Sequence, residues 1–335
     1  MLEDTPLDTA GADTAAQCPL EGELSVFRDD VVAGLGQTQK RLSARWFYDL
    51  RGSELFEEIT RLDAYYPTRT EINLLTAVRD DICDHVRGPV AVVEFGAGSA
   101  RKTPLLLKGL DGLTAYVPID ISAEFLADSV TALRRDMPGL AIYPIFGDFN
   151  ALPVLSDVMG PNQSGARHLG FFPGSTIGNL THPEAVAFLT QARRTLGPGA
   201  QFLIGIDMVK PVPTLLRAYN DELGVTAAFN LNLLERINRE LWGDFDLDAF
   251  AHDAIWNERD SRIEMHLRSL AFQTVRVAGH DFTFRRGETI HTENSHKYSR
   301  EAFTRLAAEA GWAIEAQWTD AETPYGLFLM KPQSL

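Results

Sequence analysis

The middle of the chain alternates between two hydrophobic patterns. Compact apolar runs open at residues 91, 115, 141, 168 and 201, each closed by Gly, Asp, Ser or Asn. Between them, apolar residues recur every three or four positions. A nearly continuous apolar run reads as a strand buried on both faces, and the 3.6-residue repeat reads as a helix packed on it. The strands are expected within 91–95, 115–121, 141–149, 168–179 and 201–209. Helices are expected at 24–36, 70–86 and 183–196, the last stopped by Gly197-Pro198-Gly199. After 209 the alternation breaks. Residues 210–245 read as helical and 254–296 as β-rich, with Ile263, Met265 and Leu267 on one face of an alternating strand. A helix at 301–310 and strands at 312–319 and 325–332 close the chain. The pattern predicts an α/β, Rossmann-like doubly wound sheet at 70–208 plus 297–335. A second, α+β domain is expected from 23–69 plus 209–296, behind a disordered tail at 1–22.

The first strand carries the most informative chemistry. In AVVEFGAGSARK, residues 91–102, an acid (Glu94) precedes Gly96 and Gly98, and position 101 is Arg. Glycine lets backbone approach a ligand closely. A dinucleotide turn has a third glycine and cradles a pyrophosphate at a helix N-terminus. Here that glycine is missing, and Glu94 favours a cofactor carrying positive charge. Such a turn can also serve only to pack helix on sheet. It resembles the S-adenosylmethionine (SAM) loop of class I methyltransferases, as does the closing strand pair. Asp120 ends the second strand, 24 residues after Gly96. That spacing suits hydrogen bonds to ribose hydroxyls and fits a nucleoside of either kind. Asp148 can accept from an adenine amino group while Phe149 stacks on the ring. The fourth strand runs into the Gly/Ser/Thr loop 173–179. Open α/β sheets bind ligands at such carboxyl ends.

Composition narrows the class. The 335 residues are 45% hydrophobic with a formal net charge of −15. That charge argues against binding nucleic acid through phosphates. No run approaches the ~20 apolar residues of a membrane helix. The acidic N-terminus lacks the basic segment of a secretory signal. Cys18 and Cys83 form neither a metal-type pair nor a disulfide scaffold, so a reducing cytoplasm is expected. With no cysteine partners and no H-x₃-H pair, the eight histidines are not expected to hold a metal.

The segments WFYD, ITRL..YYPTRTE, GSTIGNLT, RAYND..GVTAAFN, NRE…DFDLDAF, RIEM and TE.S.K are spread over about residues 25–335. Together they resemble the histidine Nα-methyltransferase family of ergothioneine biosynthesis. The resemblance implies a class I fold, SAM as methyl donor with S-adenosylhomocysteine as product, and L-histidine converted to its Nα-trimethyl form, hercynine. Matched motif by motif, it implies SAM contacts at Gly96, Lys102, Asp120, Asp148 and Phe149. It implies a substrate pocket of Tyr65, Asn179, Tyr219, Met265, Glu293 and Ser295, with Tyr48, Phe56 and Thr176 beside it. Asn179 and Tyr219 would offer neutral donors to the substrate carboxylate, while Tyr65, Glu293 and Ser295 grip the imidazole. A water held by Tyr48 or Tyr65 is the expected exit for the amine proton. Alternatives are a methyltransferase of tryptophan or another small aromatic amine, a dinucleotide oxidoreductase, and a SAM-binding regulator. Met265 fits core as well as pocket, Lys102 fits a solvated helix, and Tyr66 reads as core. The enzyme is expected to act as a monomer on a small molecule, away from membranes and nucleic acids.

Overall fold

The computed structural model describes residues 19–98, 101–147, 154–159 and 167–333. Asp148, Phe149 and the first 18 residues lie outside them. The described chain opens with helix α1 (Pro19–Leu35), strand β1 (Lys40–Arg41), and helices α2 (Leu50–Ile59) and α3 (Tyr66–His85). There follow β2 (Val90–Phe95), α4 (Thr103–Leu107), β3 (Leu113–Asp120), α5 (Ala123–Asp136), β4 (Ala141–Ile142), β5 (Ile145–Phe146), α6 (Leu155–Met159), β6 (Arg167–Phe172), α7 (His182–Leu196) and β7 (Gln201–Asp207). Next are α8 (Val212–Tyr219), α9 (Val225–Leu241), β8 (Phe250–Asn257), β9 (Arg262–Ser269), β10 (Gln273–Val277), β11 (His280–Phe284) and β12 (Thr289–His296). Helix α10 (Arg300–Glu309) and strands β13 (Trp312–Thr319) and β14 (Tyr325–Pro332) complete it.

The main sheet runs β13-β14-β7-β6-β2-β3-β4, with β5 also on β3. Strands β2, β3, β6 and β7 are parallel, and β14 enters antiparallel to β7. Every residue of β2 is buried, because helices cover both faces. Ala91, Val93 and Phe95 pack with Phe188 of α7 and Phe303 of α10. Val90 and Val92 pack with Leu75 of α3 and Leu106 of α4. Strand order reverses between β2 and β6, which opens a crevice at their carboxyl ends.

Three local expectations need correction. Helix α1 is already formed at Pro19, where the described residues start, inside the stretch expected to be tail. The strand expected at 141–149 is two short pieces, because Pro144 has no N–H to give the ladder. The 210–245 segment is two helices, and Gly224 (φ +72°) breaks between them. Asp221 accepts from the first amides of α9, Val225 N at 3.0 Å and Thr226 N at 2.8 Å.

A third core joins the N-terminal segment to the insertion, gathering Phe27, Trp46 and Phe47 with Phe229, Leu233, Met265 and Leu267. Asp49 locks the two together. It caps α2 through Gly52 N (2.8 Å) and accepts from Asn232 (2.8 Å) and Arg239 (2.5 Å) of α9.

Candidate active site

The turn after β2 is held in a left-handed conformation, with φ of +70° at Gly96 and +50° at Gly98. A Cβ added at either would meet no atom within 4 Å, so space in front of the turn is open to a ligand. Gly96 N and Ala97 N donate to Ile119 O at 2.9 and 3.1 Å. Asp120 accepts from Gly98 N through Oδ2 and from Ser122 N through Oδ1, both at 2.8 Å. Burial raises its pKa, against the pull of these amides. The acid therefore holds the turn, and its remaining lone pairs can meet a ligand. Glu94 accepts from Thr103 (2.7 Å) and from Tyr116 (2.5 Å), and burial pushes it up to about 7. Lys102 is not a solvated helix residue. Its ammonium pairs with Glu71, which also accepts from Gly174 N at 2.8 Å, so it braces the turn after β2 to the loop after β6. Glu94, Gly96, Ala97, Gly98, Lys102, Asp120 and Gly174 line one cavity of about 700 Å³ that also reaches Asn179 and Glu293.

A deeper chamber opens from it, lined by Tyr48, Phe56, Tyr65, Asn179, Tyr219, Phe229, Met265, Glu293 and Ser295. Its walls are aromatic. Tyr48 stands edge-on to Phe56 (5.8 Å between centroids) and Phe229 (6.0 Å), Phe56 to Tyr65 (6.3 Å), and Tyr65 to Tyr219 (6.1 Å). Burial and nearby acids hold the phenols of Tyr48, Tyr65 and Tyr219 well above their ordinary range, so all three stay protonated. Glu293 accepts from Asn179 Nδ2 at 3.2 Å, and its recess from bulk water pushes it up to about 7 against the pull of Lys297. Tyr219 OH and Ser295 Oγ lie 2.6 Å apart and form one polar spot rather than two separate ones. Met265 is both core and lining, 2% exposed with its side chain against the chamber. Tyr66 is core, and its hydroxyl donates to Asp207 at 2.7 Å.

Sequence reasoning missed two clusters. The first is beneath the chamber, where Asp207, ending β7, pairs with Lys210 and with Lys297 (2.8 Å). Burial raises the Asp207 carboxyl, but the two ammonium groups outweigh it and hold it low. A signal existed: 293, 295 and 297 fall on one face of an extended strand, so Lys297 continues the row of Glu293 and Ser295. The second lies on the other face of β9, where Glu264 and His266 are buried with His291 of β12. The rings of His266 and His291 stack nearly parallel, 4.8 Å between centroids, and one donor atom from each of the three side chains lies within 4.8 Å of the others. Glu264 is taken up by Arg262 (2.8 Å) and Asn257 (2.8 Å). This is a hydrogen-bonded cross-strand cluster that no spacing along the chain could reveal.

The glycine turn braced by an acid at the next strand tip, on a parallel sheet closed by one antiparallel strand, defines a class I SAM-dependent methyltransferase. The chain belongs to the histidine-specific, SAM-dependent methyltransferase family, whose model matches residues 27–332. The histidine N-alpha-methyltransferase of Mycobacterium tuberculosis is 43% identical over 90% of this chain and 94% of its own. That of Mycolicibacterium smegmatis is 42% identical over 95% and 96%. Ergothioneine biosynthesis protein 1 of Neurospora crassa is 29% identical, matching 87% of this chain and 33% of its own length.

Proposed function

We propose that this protein methylates the α-amino nitrogen of L-histidine three times to give hercynine, the first step of ergothioneine biosynthesis. One observation carries the reading. Glu293 and Ser295 from one face of β12, with Tyr219 from the end of α8, offer an acceptor and a hydroxyl pair inside an aromatic chamber that joins the cavity at the glycine turn. That pairing suits a ring with two nitrogens, and indole would leave the hydroxyl unanswered. The SAM side rests on Gly96 and Asp120, with Lys102 in reach of the same cavity; Asp148 and Phe149 remain family-based assignments. When bound, SAM supplies a methyl group on a sulfonium. The protein's part is to place a neutral amine in line with it, and proximity and orientation provide most of the acceleration. Asn179 orients the amino acid and Tyr65 stays beside the ring; Tyr219, expected at the carboxylate, is assigned to the ring because its hydroxyl lies 2.6 Å from Ser295 Oγ. The phenol and phenyl walls favour the growing cation. Because Tyr48 and Tyr65 keep their protons, the amine proton leaves to a water that they hold.

In this reading 23–69 and 209–296 form the substrate unit, and 70–208 and 297–335 the SAM unit. We place the reaction in the cytoplasm, in keeping with the free thiol of Cys83. Among the described residues no helix is long and apolar enough to cross a membrane. The test is mass spectrometry of the protein with SAM and an equimolar mixture of the twenty amino acids. Trimethylation confined to histidine is expected. Methylation of tryptophan instead would leave the cofactor site standing and discard the imidazole chamber.

A further inference from the structure

Lys297 lies beneath the chamber with its side chain fully buried. Its ammonium has three protons and three acceptors: Asp207 Oδ2 at 2.8 Å, Tyr219 OH at 3.0 Å and Ser295 Oγ at 2.7 Å. Asp207 is itself fixed by Tyr66 at 2.7 Å and by Lys210. The ammonium therefore cannot turn without breaking a buried network.

Proton counting on the two hydroxyls then has one outcome. Each oxygen carries one proton and two lone pairs. Lys297 occupies a lone pair on both. The oxygens lie 2.6 Å apart, so one of their two protons sits between them. The other has no partner within the network, and because both residues line the chamber it is left for a group bound there, whichever hydroxyl owns it. Of the pair's four lone pairs Lys297 takes two and the bond between the hydroxyls takes one, so the pair always presents one proton and keeps at most one acceptor site, on the hydroxyl that donates internally. Glu293, on the same face of β12, is the acceptor beside it.

We propose that Lys297 is a specificity-determining positioning residue. By donating to both Tyr219 and Ser295 it leaves their free proton for a group bound in the chamber, and so selects a ring that carries an acceptor nitrogen as well as an N–H. Neutral imidazole meets both demands: its N–H donates to Glu293, and its other nitrogen accepts from the hydroxyl. A pyrrole ring meets only the first. This inference rests on the histidine reading above.

The test compares L-histidine with 3-(pyrrol-2-yl)-L-alanine, which keeps the N–H and lacks the acceptor nitrogen. Binding is measured by calorimetry in saturating S-adenosylhomocysteine, and turnover by mass spectrometry, for the wild type, Lys297→Met and Lys297→Arg. A hydrogen bond between neutral groups in a recessed site sets the expected wild-type preference for histidine at about tenfold or more. Lys297→Met should raise the histidine KM about tenfold and leave kcat within about threefold. It should leave pyrrolylalanine and S-adenosylhomocysteine affinities unchanged, and Lys297→Arg should restore part of the preference. Equal weakening of both amino acids, or loss of S-adenosylhomocysteine binding, would make Lys297 merely structural and overturn the proposal. If Lys297→Met does not fold, the wild-type comparison still decides: turnover of histidine with no preference over pyrrolylalanine refutes this inference alone. Wild type that leaves histidine unmethylated removes the histidine reading, and this inference with it.

Discussion

Replacing Glu293 with Gln should make the protein more stable at pH 8 while impairing its work on histidine. The carboxyl rises from an ordinary 4.5 to about 7 because it is withdrawn from water, and Lys297 opposes only part of that rise. A raised carboxyl stabilises the fold only while protonated. Its contribution is complete below pH 4.5 and is lost as pH climbs through 7. At about 1.4 kcal/mol for each tenfold change, the loss reaches up to about 3 kcal/mol. Glutamine keeps the shape and an acceptor for Asn179 but never ionises. The variant and the wild type should therefore melt together near pH 5 and diverge toward pH 8, by about 5 °C for a chain of this size. Glu94, also near 7, contributes equally to both proteins, so the difference curve isolates Glu293. The assay is thermal melting from pH 5 to 8, with and without L-histidine. Added histidine should raise the wild-type Tm and have little effect on the variant. Parallel melting curves across the pH range would falsify the claim that the fold carries an unfavourable charge at this position.

Three further outcomes follow from the geometry. Asp120→Asn turns an amide N–H toward Gly98 N or Ser122 N, both of which need an acceptor; calorimetry should show S-adenosylhomocysteine binding weakened about tenfold to a hundredfold. Glu293→Ala combined with Met265→Val removes the ring acceptor and widens the wall, so turnover should move from histidine toward tryptophan; undiminished histidine turnover would discard the pocket. Tyr48→Phe and Tyr65→Phe keep the aromatic walls and remove the hydroxyls, so kcat should fall and its pH profile shift in at least one of them. If neither profile changes, the proton leaves by another route.

The parts of the fold legible in the sequence were those where burial is complete or nearly so. Strands β2, β3, β6 and β7 are covered on both faces, and the apolar run is the direct imprint of that. The third strand was read too long because its hydrophobicity continues through Pro144, where the ladder does not. The glycine turn and Asp120 were legible because strand tips position ligands by rule in this architecture. The floor of the chamber was not. Asp207 looks like an ordinary strand end and Lys297 like a surface lysine until β7 and β12 place them 2.8 Å apart. Glu264, His266 and His291 were hidden for the same reason, since their meeting depends on the register of β9 against β12.

That register has a consequence for how the protein can change. Glu293, Ser295 and Lys297 share a face only because they are two residues apart, and an irregularity between His291 and Glu293 sets their phase against β9. If the proposed chamber binds the substrate ring, substitutions along β12 should alter substrate choice one position at a time. A deletion or insertion of a single residue between the irregularity and Lys297 would instead turn side chains to the opposite face together. New specificities in this scaffold should be reached through changes of side chain at fixed strand length, and libraries that vary the length of β12 should yield no active members.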